Sequence, residues 1–176
     1  AIDLYTSSID SNRFSSDMSA VRGEHVTIHG MKFLDKEGTE TSQYSNNNQF
    51  NIELDFSTDG QKDVGIDLFL KDGINHEKLA ISSLLHFENT FLPQEPGRFR
   101  ATISLQPLNL ADGYYTIDLA ISIMKIKWDI YLEDVLKFEV LFCNPKNVTS
   151  WSLKQEHKYG KLAWLLSDVP KFTKIS

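Results

Sequence analysis

Through most of the chain, apolar and polar residues alternate one for one. Phe50, Ile52, Leu54 and Phe56 are interleaved with Asn51, Glu53 and Asp55, the period-two signature of a strand with one buried face. Val64, Ile66, Leu68 and Leu70 repeat it, with Asp67, Phe69 and Lys71 on the opposite side. So do Phe99, Ala101, Ile103 and Leu105, then Tyr115 to Ile123, then Leu136, Phe138, Val140 and Phe142. An earlier run carries Val26 and Ile28, then Met31 and Phe33, and the change of phase around Gly30 predicts a β-bulge. Turn-forming clusters containing Gly38, Gly60, Gly73, Gly97 and Gly113 separate the runs. Seven or eight short strands with almost no helical periodicity predict an all-β, antiparallel sandwich of immunoglobulin-like or jelly-roll type. Residues 75–89 and 127–135 read as mixed, and the second admits a short helix.

The ends differ from this pattern. Residues 1–20 hold six serines and few apolar positions, as expected of a flexible linker or arm. The sandwich is expected over residues 21–143, followed by a polar connection over 144–158. Residues 159–176 then supply a last strand, with Trp164 among its apolar residues. A long connection before a final strand lets that strand pair at a distance, so exchange between two copies, giving a homodimer, is expected.

Composition narrows the function. The 176 residues are 41% hydrophobic and 24% charged, with a net charge of −6. That charge disfavours nucleic acid as a partner, and no apolar run is long enough to insert into a membrane as a helix. The single cysteine, Cys143, excludes a disulfide framework and suits a reducing compartment. It reads as an ordinary thiol. Asn147-Val148-Thr149 matches a glycosylation sequon, whose use does not fit that compartment. The chain begins at Ala1 without an initiator Met or a signal-peptide pattern, as expected of a piece of a larger protein.

Motifs for chemistry are missing. There is no phosphate loop, no G-x-G-x-x-G, no G-x-S-x-G and no H-E-x-x-H. His25 and His29 lie roughly 13 Å apart on an extended strand and read as solvent-facing residues rather than metal ligands. Glu53 and Asp55, at i and i+2 and ~7 Å apart, have the pattern of an acid–base pair, although a solvated face is the commoner use. No catalytic residue, cofactor or metal is expected.

A sandwich without catalytic groups suits binding, and a sugar site needs an aromatic platform with polar side chains around it. One outer face carries Asp67, Phe69 and Lys71 with Thr116, Asp118, Ala120 and Ser122; the other carries Asn51, Glu53 and Asp55 with Arg98, Arg100 and Thr102. An immunoglobulin-like strand order makes the Phe69 and Asp118 strands neighbours, ~4.8 Å apart. The candidate glycan-binding residues are therefore Asp67, Phe69, Thr116, Asp118 and Ser122, with His86 at the border if residues 79–86 form the next strand. The alternative for Phe69 is packing beneath residues 75–89 or against a dimer partner; for Arg98 and Arg100 it is a solvated edge.

Several stretches together resemble a known family. They are Val26-Thr27-Ile28 with Met31-Lys32-Phe33-Leu34, Phe50-Asn51-Ile52-Glu53-Leu54, and Val64-Gly65-Ile66-Asp67-Leu68 leading to Lys71-Asp72-Gly73. Leu108 through Leu110 to Gly113-Tyr114-Tyr115-Thr116-Ile117 continues the series, and Trp128-Asp129-Ile130-Tyr131 with residues 135–140 ends it. In order and spacing they resemble the C-terminal carbohydrate-binding domain of the Wzt-type ATP-binding subunit of bacterial O-antigen polysaccharide ABC exporters. Trp128, Ile130 and Tyr131 depart from that family's usual Tyr-Asp-Trp-His. The resemblance implies a non-catalytic, cytoplasmic module at the inner face of the inner membrane. It would bind the non-reducing terminus of an O-polysaccharide as a homodimer, beside a transmembrane subunit and an upstream ATPase domain. The alternatives are a structural dimerisation sandwich without a glycan site, or a glycan-processing enzyme using Glu53, Asp55 or Asp118.

Overall fold

The computed structural model describes residues 20–45, 48–106, 110–124, 126–141 and 170–175. The elements run β1 (Val21–Arg22), β2 (Val26–Leu34), β3 (Gln43–Ser45), β4 (Phe50–Thr58), β5 (Val64–Asp72), β6 (Lys78–Ser83), α1 (Leu84–Phe87), β7 (Gly97–Leu105), β8 (Gly113–Ile123), β9 (Lys127–Leu141) and β10 (Lys171–Lys174). They form two five-stranded sheets, ordered β1-β2-β4-β7-β10 and β3-β9-β8-β5-β6. The expected all-β sandwich is thus the fold, with ten described strands rather than seven or eight. Pairing is antiparallel except between β3 and β9, which run parallel.

The inward residues of both sheets are the apolar half of each alternation. Ile28, Ile52, Leu54 and Phe56 of one sheet meet Ile66, Leu68, Leu70, Ile117 and Leu119 of the other, all essentially inaccessible to water. Each such side chain contributes about 1.5–3 kcal/mol when buried. Phe33, Tyr44, Phe50 and Phe138 pack edge-to-face at one end. Tyr115 donates its hydroxyl to the Ala111 carbonyl, four residues upstream, at 2.9 Å, a hydrogen bond like the tyrosine corner of sandwich folds.

The predicted bulge is present: register slips between Ile28 and Gly30, leaving His29 as the extra residue. Residues 127–135 belong to a strand rather than a helix, and that strand is irregular. Opposite β8 it holds one extra residue at Asp129 and two more between Leu132 and Leu136. Near the chain end, β10 pairs with β7 of the same chain and sets Phe172 against Phe56. The arm over residues 1–19, the connection over 144–158 and the strand expected at 159–166 lie outside the described residues.

Candidate functional site

The outer face of the β3-β9-β8-β5-β6 sheet collects the residues singled out from sequence. Phe69 of β5 stands directly opposite Asp118 of β8, and Asp67 stands opposite Ala120. On its other side β5 pairs with β6, setting Asp67 opposite Ser83. The adjacency inferred from strand order is therefore observed, and the polar row sits on the side away from the core. Its environment is more enclosed than alternation implies: Asp67, Lys71, Thr116, Asp118 and Ser122 are all buried.

The irregularity of β9 explains this enclosure. The extra residue at Asp129 reverses the alternation, so Trp128 and Tyr131, three positions apart, both reach the outer face, opposite Ser122 and Ala120. Their rings stack at 4.6 Å with planes 16° apart. Phe69 meets Trp128 at 6.4 Å and Tyr131 at 6.1 Å, and the Lys78 ammonium lies 4.5 Å from the Phe69 centroid. Phe69 is thus a half-covered buttress, whereas Trp128 is 54% exposed.

The second irregularity, where Asp134 has left-handed backbone (φ 52°), brings Asp134 onto the same outer face. Its N–H donates to Asp118 at 2.8 Å, and its carboxylate accepts from Thr116 at 2.9 Å. Lys71 bridges Asp118 and Asp134, at 2.7 Å from each. Tyr131 donates its hydroxyl to Asp118 at 2.8 Å. Asp118, 1% exposed, consequently acts beneath the surface, orienting the ring on which Trp128 lies. Burial, then the Asp118 hydrogen bond, pushes the Tyr131 phenol up to about 12. Burial opposes the charged forms of Lys71 and Asp134, but their mutual hydrogen bond and the surrounding polar contacts prevail. Lys71 is held above, and Asp134 below, its ordinary range.

Beside Trp128 the face opens into a depression of about 360 Å³ lined by Asp67, Ser122, Leu85, His86, Met124, Ile126, Lys127 and Trp128, with Ile123 completing the lining. Its wall opposite Trp128 is α1. A β-carbon at Gly65 would lie 2.6 Å from that of Leu85, so glycine there lets the helix sit on β5 and carry His86 to the rim. Strand β6 ends at Ser83, so His86 borders the depression from this helix rather than from a strand. Ser83 and Ser122 both donate their hydroxyls to Asp67. Three sequence-predicted residues, Asp67, His86 and Ser122, therefore share one depression. Thr116 and Asp118 lie outside its lining, in the supporting network.

Trp128 and Tyr131 were not selected from sequence as site residues. Simple alternation assigns i and i+3 to opposite faces, and only the break in period over residues 127–135 signals the bulge.

The other outer face is organised as ion pairs. Arg98 grips Asp55 through two hydrogen bonds at 2.7 and 2.8 Å, while Lys32 and Arg100 flank Glu53. The Arg98 hydrogen bonds hold Asp55 below the usual carboxylate range, opposite to the shift of a general acid. His25 bonds to Asp59 and His29 to Ser57, so the two histidines serve separate contacts. Among the described residues no group of three or more His, Cys, Asp and Glu side chains is placed to hold a metal, and no helix is long and apolar enough to cross a membrane.

With the fold defined as a two-sheet sandwich, the comparison with known proteins turns on architecture. No family model matches the chain, and no curated protein matches it by sequence. A crystal structure of the C-terminal domain of Wzt matches with a TM-score of 0.63, covering 82% of this chain and 89% of that one at 10% identity. The chain thus has a Wzt C-terminal-like fold, in agreement with the resemblance drawn from its strand motifs.

Proposed function

We propose that the chain is a non-catalytic module that recognises the terminus of an O-antigen-type polysaccharide and presents it to an ABC exporter. The observation that carries the reading is the exposed Trp128 ring, fixed by Tyr131 and Phe69 beside a depression with Asp67 and Ser122 in its floor. A pyranose offers an apolar C–H face to an aromatic ring and hydroxyls to the polar groups next to it, and that combination matches the chemistry of this face. The Wzt-like fold supports the export setting. In that setting the chain works as a homodimer with a transmembrane subunit and an ATPase domain, on the cytoplasmic side of the inner membrane.

In this reading Trp128 is the platform and Phe69 its support. Asp67 and Ser122 contact sugar hydroxyls, His86 borders the sugar, and Thr116 and Asp118 position the aromatic pair. The test is capture of polysaccharide from the source strain by the immobilised chain. Retention that is lost in Trp128→Ala, with an unchanged thermal transition, supports the reading. Equal retention by wild type and Trp128→Ala removes the proposed site.

A further inference from the structure

We infer that the depression beside Trp128 takes an uncharged, hydroxyl-bearing sugar end and rejects the same end when it carries a phosphate or carboxylate. This rests on the glycan reading above and adds the chemical class of the ligand. The argument begins with the direction of the hydrogen bonds at the floor. Asp67 is 4% exposed, and both neighbouring serines turn their hydroxyl protons toward it. A serine hydroxyl has one proton and two lone pairs, so each serine oxygen is left to act as an acceptor. Ser83 already accepts the His86 N–H at 3.1 Å. The floor therefore offers the lone pairs of Asp67 and Ser122, which are complementary to donors.

Charge points the same way. Among the described residues, no lysine, arginine or histidine forms an ion pair with Asp67, whose polar partners are the two hydroxyls. Lys71 on this face is engaged with other groups, between Asp118 and Asp134. Lys127 at the rim reaches Glu24 at 2.5 Å, and Lys78 sits over the Phe69 and Tyr131 rings. Of the described residues that line the depression, His86 is the remaining one able to carry positive charge. An anionic substituent entering this space would meet the buried carboxylate at short range, in surroundings that screen it less than water. A neutral hydroxyl would instead donate to Ser122 or Asp67 while its ring lies along Trp128.

The experiment applies the full chain to an array that pairs each neutral oligosaccharide with the same oligosaccharide bearing a terminal phosphate monoester or uronic acid. Neutral members are expected to bind in a Trp128-dependent manner, and their charged counterparts about tenfold or more weaker. Asp67→Asn removes the charge with little change of shape and is expected to narrow that gap. If the variant does not fold, the wild-type comparison decides alone. Equal or tighter binding of the charged members, still dependent on Trp128, overturns the inference and leaves the glycan reading standing; so does a gap unchanged in folded Asp67→Asn. Binding by no member of the array, or binding indifferent to Trp128→Ala, overturns the glycan reading and the inference together.

Discussion

Replacing Asp129 by alanine is expected to unfasten the bulge that puts Trp128 and Tyr131 on one face. The Asp129 side chain accepts three backbone N–H groups at the start of β2: Glu24 at 2.7 Å, His25 at 3.0 Å and Val26 at 3.2 Å. It thereby ties the β9 bulge of one sheet to a strand of the other. The Glu24 N–H is exposed and water replaces its partner cheaply, at about 0.5 kcal/mol, whereas the other two are partly buried and cost about 1–1.5 kcal/mol each. The sum is about 2.5–3.5 kcal/mol, which lowers Tm by roughly 5–14 °C for a domain of this size. Urea unfolding followed by circular dichroism measures the loss directly, with the midpoint reduced and the slope unchanged. Gly23 supplies a second test. A β-carbon there would lie 2.5 Å from Asp129 Oδ2 and 2.7 Å from Ile130 Cγ1. Gly23→Ala should therefore cost less in an Asp129→Ala background, with a coupling of about 0.5–2 kcal/mol. A loss below about 0.5 kcal/mol for Asp129→Ala, or strict additivity with Gly23→Ala, would refute this account of the bulge.

Other consequences follow from the polar network and the first-sheet histidine. Lys71→Met leaves Asp118 buried without its cation and should cost about 3–5 kcal/mol; the double change Lys71→Met with Asp118→Asn, which removes the charge and keeps polar partners for Tyr131 and the Asp134 N–H, should recover part of that in the same urea assay. Asp134 is depressed in the folded state, so its contribution is present above the unfolded carboxyl value of about 3.9 and lost as pH falls through the folded value. Acid unfolding should therefore steepen below about pH 4, less so in Asp134→Asn. His25 is raised by its hydrogen bond to Asp59, so the stability it supplies is complete below its unfolded value of about 6.5 and is lost as pH rises through the folded value. A decline of Tm as pH rises above about 6.5 that disappears in His25→Gln is the expected result; an identical decline in the variant contradicts the assignment.

The regular strands were legible because their burial is one-sided. Phe50 to Phe56 and Val64 to Leu70 alternate without interruption, and they form β4 and β5 as read. The phase change at Gly30 gave the β2 bulge, and the sandwich order gave the contact between Phe69 and Asp118. The β9 irregularities were not legible in the same way. Residues 127–135 show neither period, because one bulge inserts Asp129 and the other inserts two residues before Leu136. That lost periodicity concealed both the Trp128–Tyr131 stack and the burial of Asp118. Alternation identifies the face a residue occupies; it does not report that side chains of a neighbouring strand cover that face. The three-residue β3 is too short to produce a pattern, and its parallel partner lies 96 positions away at the Gln43–Glu139 pair.

The central claim is that Trp128 and the adjacent depression bind a glycan, and the most direct measurement is calorimetric titration of the chain with polysaccharide from its source strain. Trp128→Ala and Arg100→Ala are titrated in parallel, the second as a control on the opposite outer face. An exposed aromatic platform contributes on the order of 1–2 kcal/mol. The account predicts saturable binding to wild type, about tenfold or greater weakening in Trp128→Ala, and no change in Arg100→Ala. Full affinity in folded Trp128→Ala with loss in Arg100→Ala would place recognition on the other sheet and contradict it.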